Sequence, residues 1–199
     1  MNTYRMHRGT SVLFTTIINK LRMKCKGIKY GMGFQSCGRI TFVFLGGSMQ
    51  IGDNVYINSK RIADPIGGQD RTIIQLNNGN IRIGNRVGIS NAAICSSNSI
   101  TIEDDVCIGA GCKIYDTDFH SSIAEYRLQG NTHVKTAPIV IKEKAFIGGH
   151  SIILKGVTIG KEAVVGAGSV VTSDIPDGEI WAGNPACFIK KVPCAKGKS

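Results

Sequence analysis

A large aliphatic residue recurs at every sixth position, without a break, at Ile141, Ile147, Ile153, Ile159, Val165 and Val171. The same period runs through Ile102, Ile108 and Ile114, through Ile83, Ile89 and Cys95, and through Ile51 and Ile57, with a weaker copy at Phe34 and Ile40. Small residues stand four positions after many of these anchors, at Cys112, Ala145, Ser151, Ala163 and Ser169. Gly often follows an anchor directly, at Gly52, Gly84, Gly109, Gly148, Gly160 and Gly166. A period of six fits neither a helix, at 3.6, nor a simple strand, at 2. It fits short strands joined by corners, each strand turning one aliphatic inward and each corner using Gly, Asn or Asp at positive φ. Three such strands close a triangular coil, and one coil cannot bury its own ladder, so coils must stack. The spacing predicts an all-β chain built as a parallel β-helix.

The repeat is lost between Ile62 and Asn80, where Gly67-Gly68 and Asn77-Asn78-Gly79-Asn80 read as turns, and again between His120 and Pro138. The second break is an excursion loop over 120–138, and loops of that length in a regular scaffold are uncommon unless functional or disordered. Residues 11–24 place Val12, Ile17 and Leu21 among Lys20 and Lys24. That pattern predicts an amphipathic helix whose apolar face covers the open end of the coils. The expected organisation is a basic, partly helical N-terminal cap over 1–30, the β-helix over 31–176, and a C-terminal segment over 177–199. In that segment Glu179–Ala186 lies against the last coils, and a basic tail frays from Pro193.

Composition narrows the partners. The 199 residues carry a formal net charge of +10, yet no acid precedes Asp53, while residues 1–52 hold Arg5, Arg8, Lys20, Arg22, Lys24, Lys26, Lys29 and Arg39. Either an anionic partner or a solvated basic face accounts for this. Nucleic acid fits poorly, because only 7% of residues are aromatic and no recognised binding motif appears. A weak, salt-sensitive association with a membrane surface remains an expectation for this segment. The longest early apolar run, Ser11 to Ile18, is too short to span a bilayer, and no small-residue cleavage site follows it. The seven Cys form no C-x-x-C pair. Cys95, Cys107 and Cys112 lie in aliphatic runs and read as small buried hydrophobes, so a reducing, cytoplasmic setting is expected.

Four histidines are available: His7, His120, His133 and His150. His120 closes Tyr115-Asp-Thr-Asp-Phe-His120, where the ladder 102–108–114 meets the excursion. There it is placed to act as a general base, with Asp116 or Asp118 to orient its ring, or it is a surface His in a polar turn. Spacing alone leaves both readings open. The other separations lack short metal-ligand spacing, so no metal site is expected. His133 and His150 are expected to face outward.

Several stretches carry a family resemblance in combination: Ala137-Pro-Ile-Val-Ile-Lys-Glu-Lys-Ala-Phe-Ile-Gly148, Val157-Thr-Ile-Gly160, Val164-Val-Gly-Ala-Gly-Ser-Val-Val-Thr172, Asp174-Ile-Pro176 and Ala182-Gly-Asn-Pro-Ala186. Over about residues 51–191 the chain resembles the hexapeptide-repeat acyltransferases. Within them it is most similar to galactoside, maltose and polysaccharide-type sugar O-acetyltransferases. The resemblance implies a left-handed β-helix, a homotrimer with each site between two prisms, and acetyl-CoA as co-substrate. It implies His120 as the base that takes a proton from an acceptor hydroxyl, with Asp118 beside it and the Gly149 N–H as oxyanion donor. It also implies CoA lying along one edge against Gly149, Gly166, Ala167 and Thr172, with Lys190 toward the phosphates. Asn91, or Ser90 one residue away, and Arg127 would meet the acceptor. The chain departs from the family pattern at Ser173 and Cys187, where basic residues are common, and at Phe146, where Trp is common. The implied reaction is acetylation of a sugar or polysaccharide-precursor hydroxyl. N-acetylation of an amino sugar or xenobiotic and a non-catalytic β-helix scaffold are the competing readings.

Overall fold

The computed structural model describes residues 10–60 and 71–193. The expected Gly67-Gly68 turn and the tail beyond Pro193 lie outside the described residues. Short strands assemble into three sheets of six, eight and six strands. The first face carries Lys29–Tyr30, Ser48–Ile51, Asn80–Ile83, Ser99–Ile102, Ile139–Ile141 and Thr158–Ile159. The second carries Gln35–Cys37, Tyr56–Asn58, Gly88–Ser90, Cys107–Ile108, Phe146–Ile147 and Val164–Val165, and the third Thr41–Phe44, Ile73–Leu76, Ala93–Ser96, Lys113–Tyr115, Ile152–Ile153 and Val170–Val171. Consecutive strands lie on different faces and each pairs in parallel with the strand one coil away, as in Ile102↔Ile141↔Ile159. The architecture is the expected parallel β-helix, of the left-handed kind.

The ladders are continuous through the prism. Ile51, Ile83, Ile102, Ile141 and Ile159 stack on the first face. Ile57, Ile89, Ile108, Ile147 and Val165 stack on the second, and Phe42, Ile74, Ile94, Ile114, Ile153 and Val171 on the third. All of these side chains are buried, each contributing ~1.5–3 kcal/mol gross. The small positions Cys112, Ala145, Ser151, Ala163 and Ser169 are buried too. The serines there spend their hydroxyls on corner carbonyls, Ser151 Oγ donating to Gly148 O at 2.8 Å and Ser169 Oγ to Gly166 O at 2.6 Å.

The structure corrects four details of the sequence pattern. Ile94, not Cys95, is the third-face anchor; the corner Asn91-Ala92 shortens that step to five residues, and Cys95 and Cys107 are only partly buried. Phe34 and Ile40 precede the first-coil strands at the small position, and Ser36 and Phe42 hold the anchor positions there. The repeat resumes at Ile73, well before Asn80. Finally, the glycines after the anchors do not supply positive φ. That conformation falls at Asn54, Arg86, Asp105, Lys144 and Glu162. The post-anchor glycines are required by stacking: a Cβ on Gly148 would sit 2.5 Å from Ala167 N, and one on Gly109 2.6 Å from Gly149 N.

The two ends of the stack are finished differently. At the N-terminal end, helix α1 (Thr10–Cys25) lies across the first coil, which itself starts at Lys29. The helix does not cover it with the expected apolar face. Thr15 Oγ1 and Thr16 Oγ1 donate to Ser36 O at 2.8 and 3.2 Å, Asn19 Nδ2 donates to Gly38 O at 2.9 Å, and Asn19 Oδ1 accepts from Ile40 N at 3.2 Å. Among the described residues no strand pairs with the first coil from below, so its strand edge presents backbone groups without a strand partner. Polar side chains of α1 satisfy them, and Met23, fully buried, plugs the end of the core. At the other end Glu179–Gly183 continues the second sheet on Val164–Val165 and folds back as an antiparallel hairpin with Ala186–Lys191.

Candidate active site

The excursion leaves the prism at Asp116, four residues earlier than the sequence pattern suggests, because Ile114 and Tyr115 still belong to the third face. Its neck is a short antiparallel pairing: Thr117 bridges Thr136, Asp118 N donates to Lys135 O at 3.0 Å and Ala137 N to Asp116 O at 3.0 Å. The Asp116 carboxylate is buried and accepts from Ser96 Oγ at 2.7 Å, Ser97 N at 2.6 Å and Asn98 N at 3.0 Å. It therefore pins the neck to the coil below and does not orient His120. Beyond the neck the loop packs on itself around helix α2 (Ala124–Leu128). Arg127 Nη1 donates to Ser121 O at 2.7 Å, Asn131 Nδ2 to Phe119 O at 2.8 Å, and the His133 ring stacks on Tyr126 at 4.2 Å. Arg127 is thus partly occupied in holding the loop together.

His120 sits exposed on this excursion, just after Phe119, whose φ is +59°. That left-handed residue reverses the chain, and His120 N donates to Asp118 O at 2.7 Å. The Asp118 carboxylate is paired with Lys155 Nζ at 2.5 Å rather than with the His120 ring. Lys155, one coil onward at the same corner, was not singled out by the sequence pattern, which has no means of pairing a loop acid with a corner base. His133 and His150 are exposed, as expected.

The other expected site residues lie elsewhere. Ser90, Asn91, Gly149, Gly166 and Ala167 share the corner between the second and third faces. There His150 N donates to Ala110 O at 2.7 Å, Gly168 N to Gly149 O at 2.9 Å, and Asn91 N to Asn58 O at 2.9 Å. Close stacking keeps Gly166 without a side chain on this edge: a Cβ there would lie 2.7 Å from Ala182 Cβ. The Gly149 and Ala167 N–H groups donate to no other described residue, leaving two backbone donors along the edge. Asn91 is buried with neither end of its carboxamide hydrogen-bonded, and Asn58 Oδ1 one coil below is in the same condition. Such groups cost about 1–3 kcal/mol each. Ser90 is half-buried. Asn58 was missed in sequence, although it holds the same register position as Ser90.

Thr172 does not join the glycine edge. It follows the third-face strand Val170–Val171 and stands at the next corner, on the side of the excursion. Lys190 lies opposite Ile180 on the final hairpin, three residues, or about 10 Å, along the strand from Gly183. One chain therefore divides the expected set between two edges: Asp118, His120, Arg127 and Thr172 on one, and Ser90, Asn91, Gly149, Gly166 and Ala167 on the other.

With this geometry in hand, comparison with known proteins places the coils. Residues 138–173 match the hexapeptide repeat of succinyl-transferase. The chain is 36% identical to the galactoside O-acetyltransferase of Escherichia coli over 114 residues, 57% of this chain and 55% of that one. A hexapeptide-repeat containing acetyltransferase of Vibrio cholerae, solved with acetyl coenzyme A, is 36% identical over 57% of this chain and 61% of its own, with a TM-score of 0.53. A variant of AntD, an N-acyltransferase from Bacillus cereus, shares the fold over 88% of this chain and 90% of its own, with a TM-score of 0.69 at 24% identity. The chain is thus similar, over its coils, to hexapeptide-repeat acyltransferases. It spans somewhat over half the length of the curated relatives it matches.

Proposed function

We propose that the protein is an acetyl-CoA-dependent O-acetyltransferase of a sugar or polysaccharide-precursor hydroxyl, working as a homotrimer with each site between two chains. The observation that carries this reading is the division of the site over two edges at one height. The excursion leaves the coil whose preceding corner, Ala110–Cys112, lies directly beneath Gly149 and His150. A three-fold axis parallel to the stack preserves height, so it can set the His120 edge of one chain against the Gly149 edge of its neighbour.

In this reading His120 takes the proton of the acceptor hydroxyl as the oxygen attacks the thioester carbonyl. The Gly149 N–H receives the developing oxyanion. Collapse breaks the C–S bond, and the departing CoA thiolate recovers the proton from the imidazolium. Ala167 N–H and the bare edge at Gly166 suit an extended pantetheine, with Thr172 reaching it from the adjoining chain and Lys190 toward the phosphates. The unsatisfied Asn91 carboxamide and Ser90 suit a polyhydroxyl acceptor. Asp118, paired with Lys155, acts as a positioning residue for the loop that bears His120.

Free-thiol release from acetyl-CoA against a panel of saccharides tests the chemistry, and mixing tests the assembly. His120→Ala and Ala167→Trp should each be nearly inactive. Trimers refolded from an equal mixture should regain about a quarter of wild-type activity, because one site in four unites an intact His120 with an intact edge on its neighbour. Formed mixed trimers without recovery would overturn the shared site. Thiol release with amino sugars alone would replace O-acetylation by N-acetylation.

A further inference from the structure

Helix α1 shows a face for which the coils have no use. Leu13, Phe14, Ile17 and Leu21 are 66, 65, 50 and 59% exposed, whereas Val12, Thr16, Asn19 and Met23 are buried against the first coil. The two sets fall on opposite sides of one helix, Leu13, Ile17 and Leu21 being successive i, i+4 neighbours. The helix cannot roll to hide the apolar stripe, because Thr15, Thr16 and Asn19 are hydrogen-bonded to the backbone of residues 36–40. Rolling would unpair those groups at about 1–3 kcal/mol each.

The charge around the stripe has one sign. Lys24 stands in line with it on the helical wheel and is exposed, and Lys20 flanks it. No acid occurs in residues 1–52 to neutralise the eight cations there. We propose that α1 is an in-plane membrane-surface helix: Leu13, Phe14, Ile17 and Leu21 enter the headgroup boundary of an anionic bilayer, and the lysines meet its phosphates. An apolar face bordered by lysines is the pattern that binds at such a boundary. The helix lies on the bilayer rather than crossing it, since its sixteen residues reach about 24 Å against a hydrocarbon core of about 30 Å. A second copy of the chain suits the stripe less well. The patch runs only about 12 Å along the helix, and a two-fold contact through it would set one wholly basic segment against another.

The test is flotation of the full-length chain with vesicles of phosphatidylglycerol and phosphatidylcholine, and with phosphatidylcholine alone. Binding to the anionic vesicles, weakened by salt and absent from the neutral ones, is expected. Leu21→Ser should weaken it about ten-fold and Lys24→Gln about five-fold, and Leu13→Ser/Phe14→Ser/Ile17→Ser/Leu21→Ser should abolish it. These side chains face away from the coils, so thermal melting of the variants should match the wild type and separates lost binding from lost folding. Binding to neutral vesicles as strong as to anionic ones, or full binding by the quadruple variant, would overturn the proposal. So would indifference to anionic vesicles at low salt joined to a fall in sedimenting mass in the quadruple variant, which would make the stripe a contact between copies.

Discussion

The two edges that carry the candidate site are built on opposite principles. The glycine edge is defined by what cannot be there: Gly109, Gly148 and Gly166 each lie so close to the next coil that a Cβ would strike backbone or Ala182. Its backbone donors are held by packing, in the most regular part of the stack. The excursion edge is defined by an interruption. It is held by a buried carboxylate, a two-stranded neck and a loop that bonds to itself. The contrast teaches a division of labour. A rigid edge offers backbone groups that need no side chain, and a secured loop presents exposed side chains, His120 among them, outside the regular coils.

The largest expected effect separates chemistry from packing. His120→Ala should lower turnover by roughly 10²–10⁴ with little change in stability, since the side chain is exposed. Steady-state kinetics with a thermal melt checks this, and near-normal turnover would remove His120 from the proposed mechanism. Next, Asp116→Ala should destabilise by roughly 2–4 kcal/mol, because Ser96 Oγ and two backbone N–H groups lose a buried acceptor. Chemical denaturation measures it, and a loss below about 1 kcal/mol would show that the neck does not depend on this carboxylate.

On the rigid edge, Gly148→Ala should cost about 1–3 kcal/mol through overpacking against Ala167 N. Gly168→Ala, where a Cβ meets nothing but φ is +72°, should cost about 1–2 kcal/mol from backbone strain alone. Asn at position 168 should recover part of the second loss, since Asn tolerates that conformation. Asn at 148 should recover none of the first, and denaturation midpoints of the four variants decide the matter.

The smallest effect lies away from both edges. Asp104 is held below its ordinary pKa chiefly by the Asn85 backbone N–H, then by the Asn85 side chain. A carboxylate depressed in the folded state contributes stability above its unfolded pKa, near 3.9, and loses it as pH falls through the folded value. The stability gap between wild type and Asp104→Asn should therefore be present at pH 6 and shrink below about pH 4. A gap that widened in acid would reverse the assigned sign. At this exposed corner the gap should be only a fraction of a kcal/mol.

Much of the fold is legible in the chain because the six-residue period is a direct image of one strand and one corner. Where the period was unbroken, from Ile141 to Val171, the anchors fell on the ladders without correction. Where a corner lost a residue, at Asn91-Ala92, the pattern named Cys95 in place of Ile94. The glycines were legible as necessary but were given the wrong reason, since sequence cannot tell a corner that needs positive φ from a coil that needs close approach. Helix α1 was legible as a helix, but its buried face was not. Hydropathy assumes that what must be covered is apolar, and the end of this stack presents backbone N–H and C=O groups as well.

By itself the sequence determined the coil: aliphatics at every sixth position can be buried together only if the chain turns three times and stacks. It also marked His120 close to the place, Asp116, where that rule is suspended. Only the tertiary structure decided which residues share an edge. A corner's position depends on the running count of residues around the prism, so each shortened corner or excursion changes which later residues stand above it. Thr172 and Gly166, six apart and alike in pattern, stand at successive corners, one full strand apart, and His120 and Gly149 lie on different edges of the same chain.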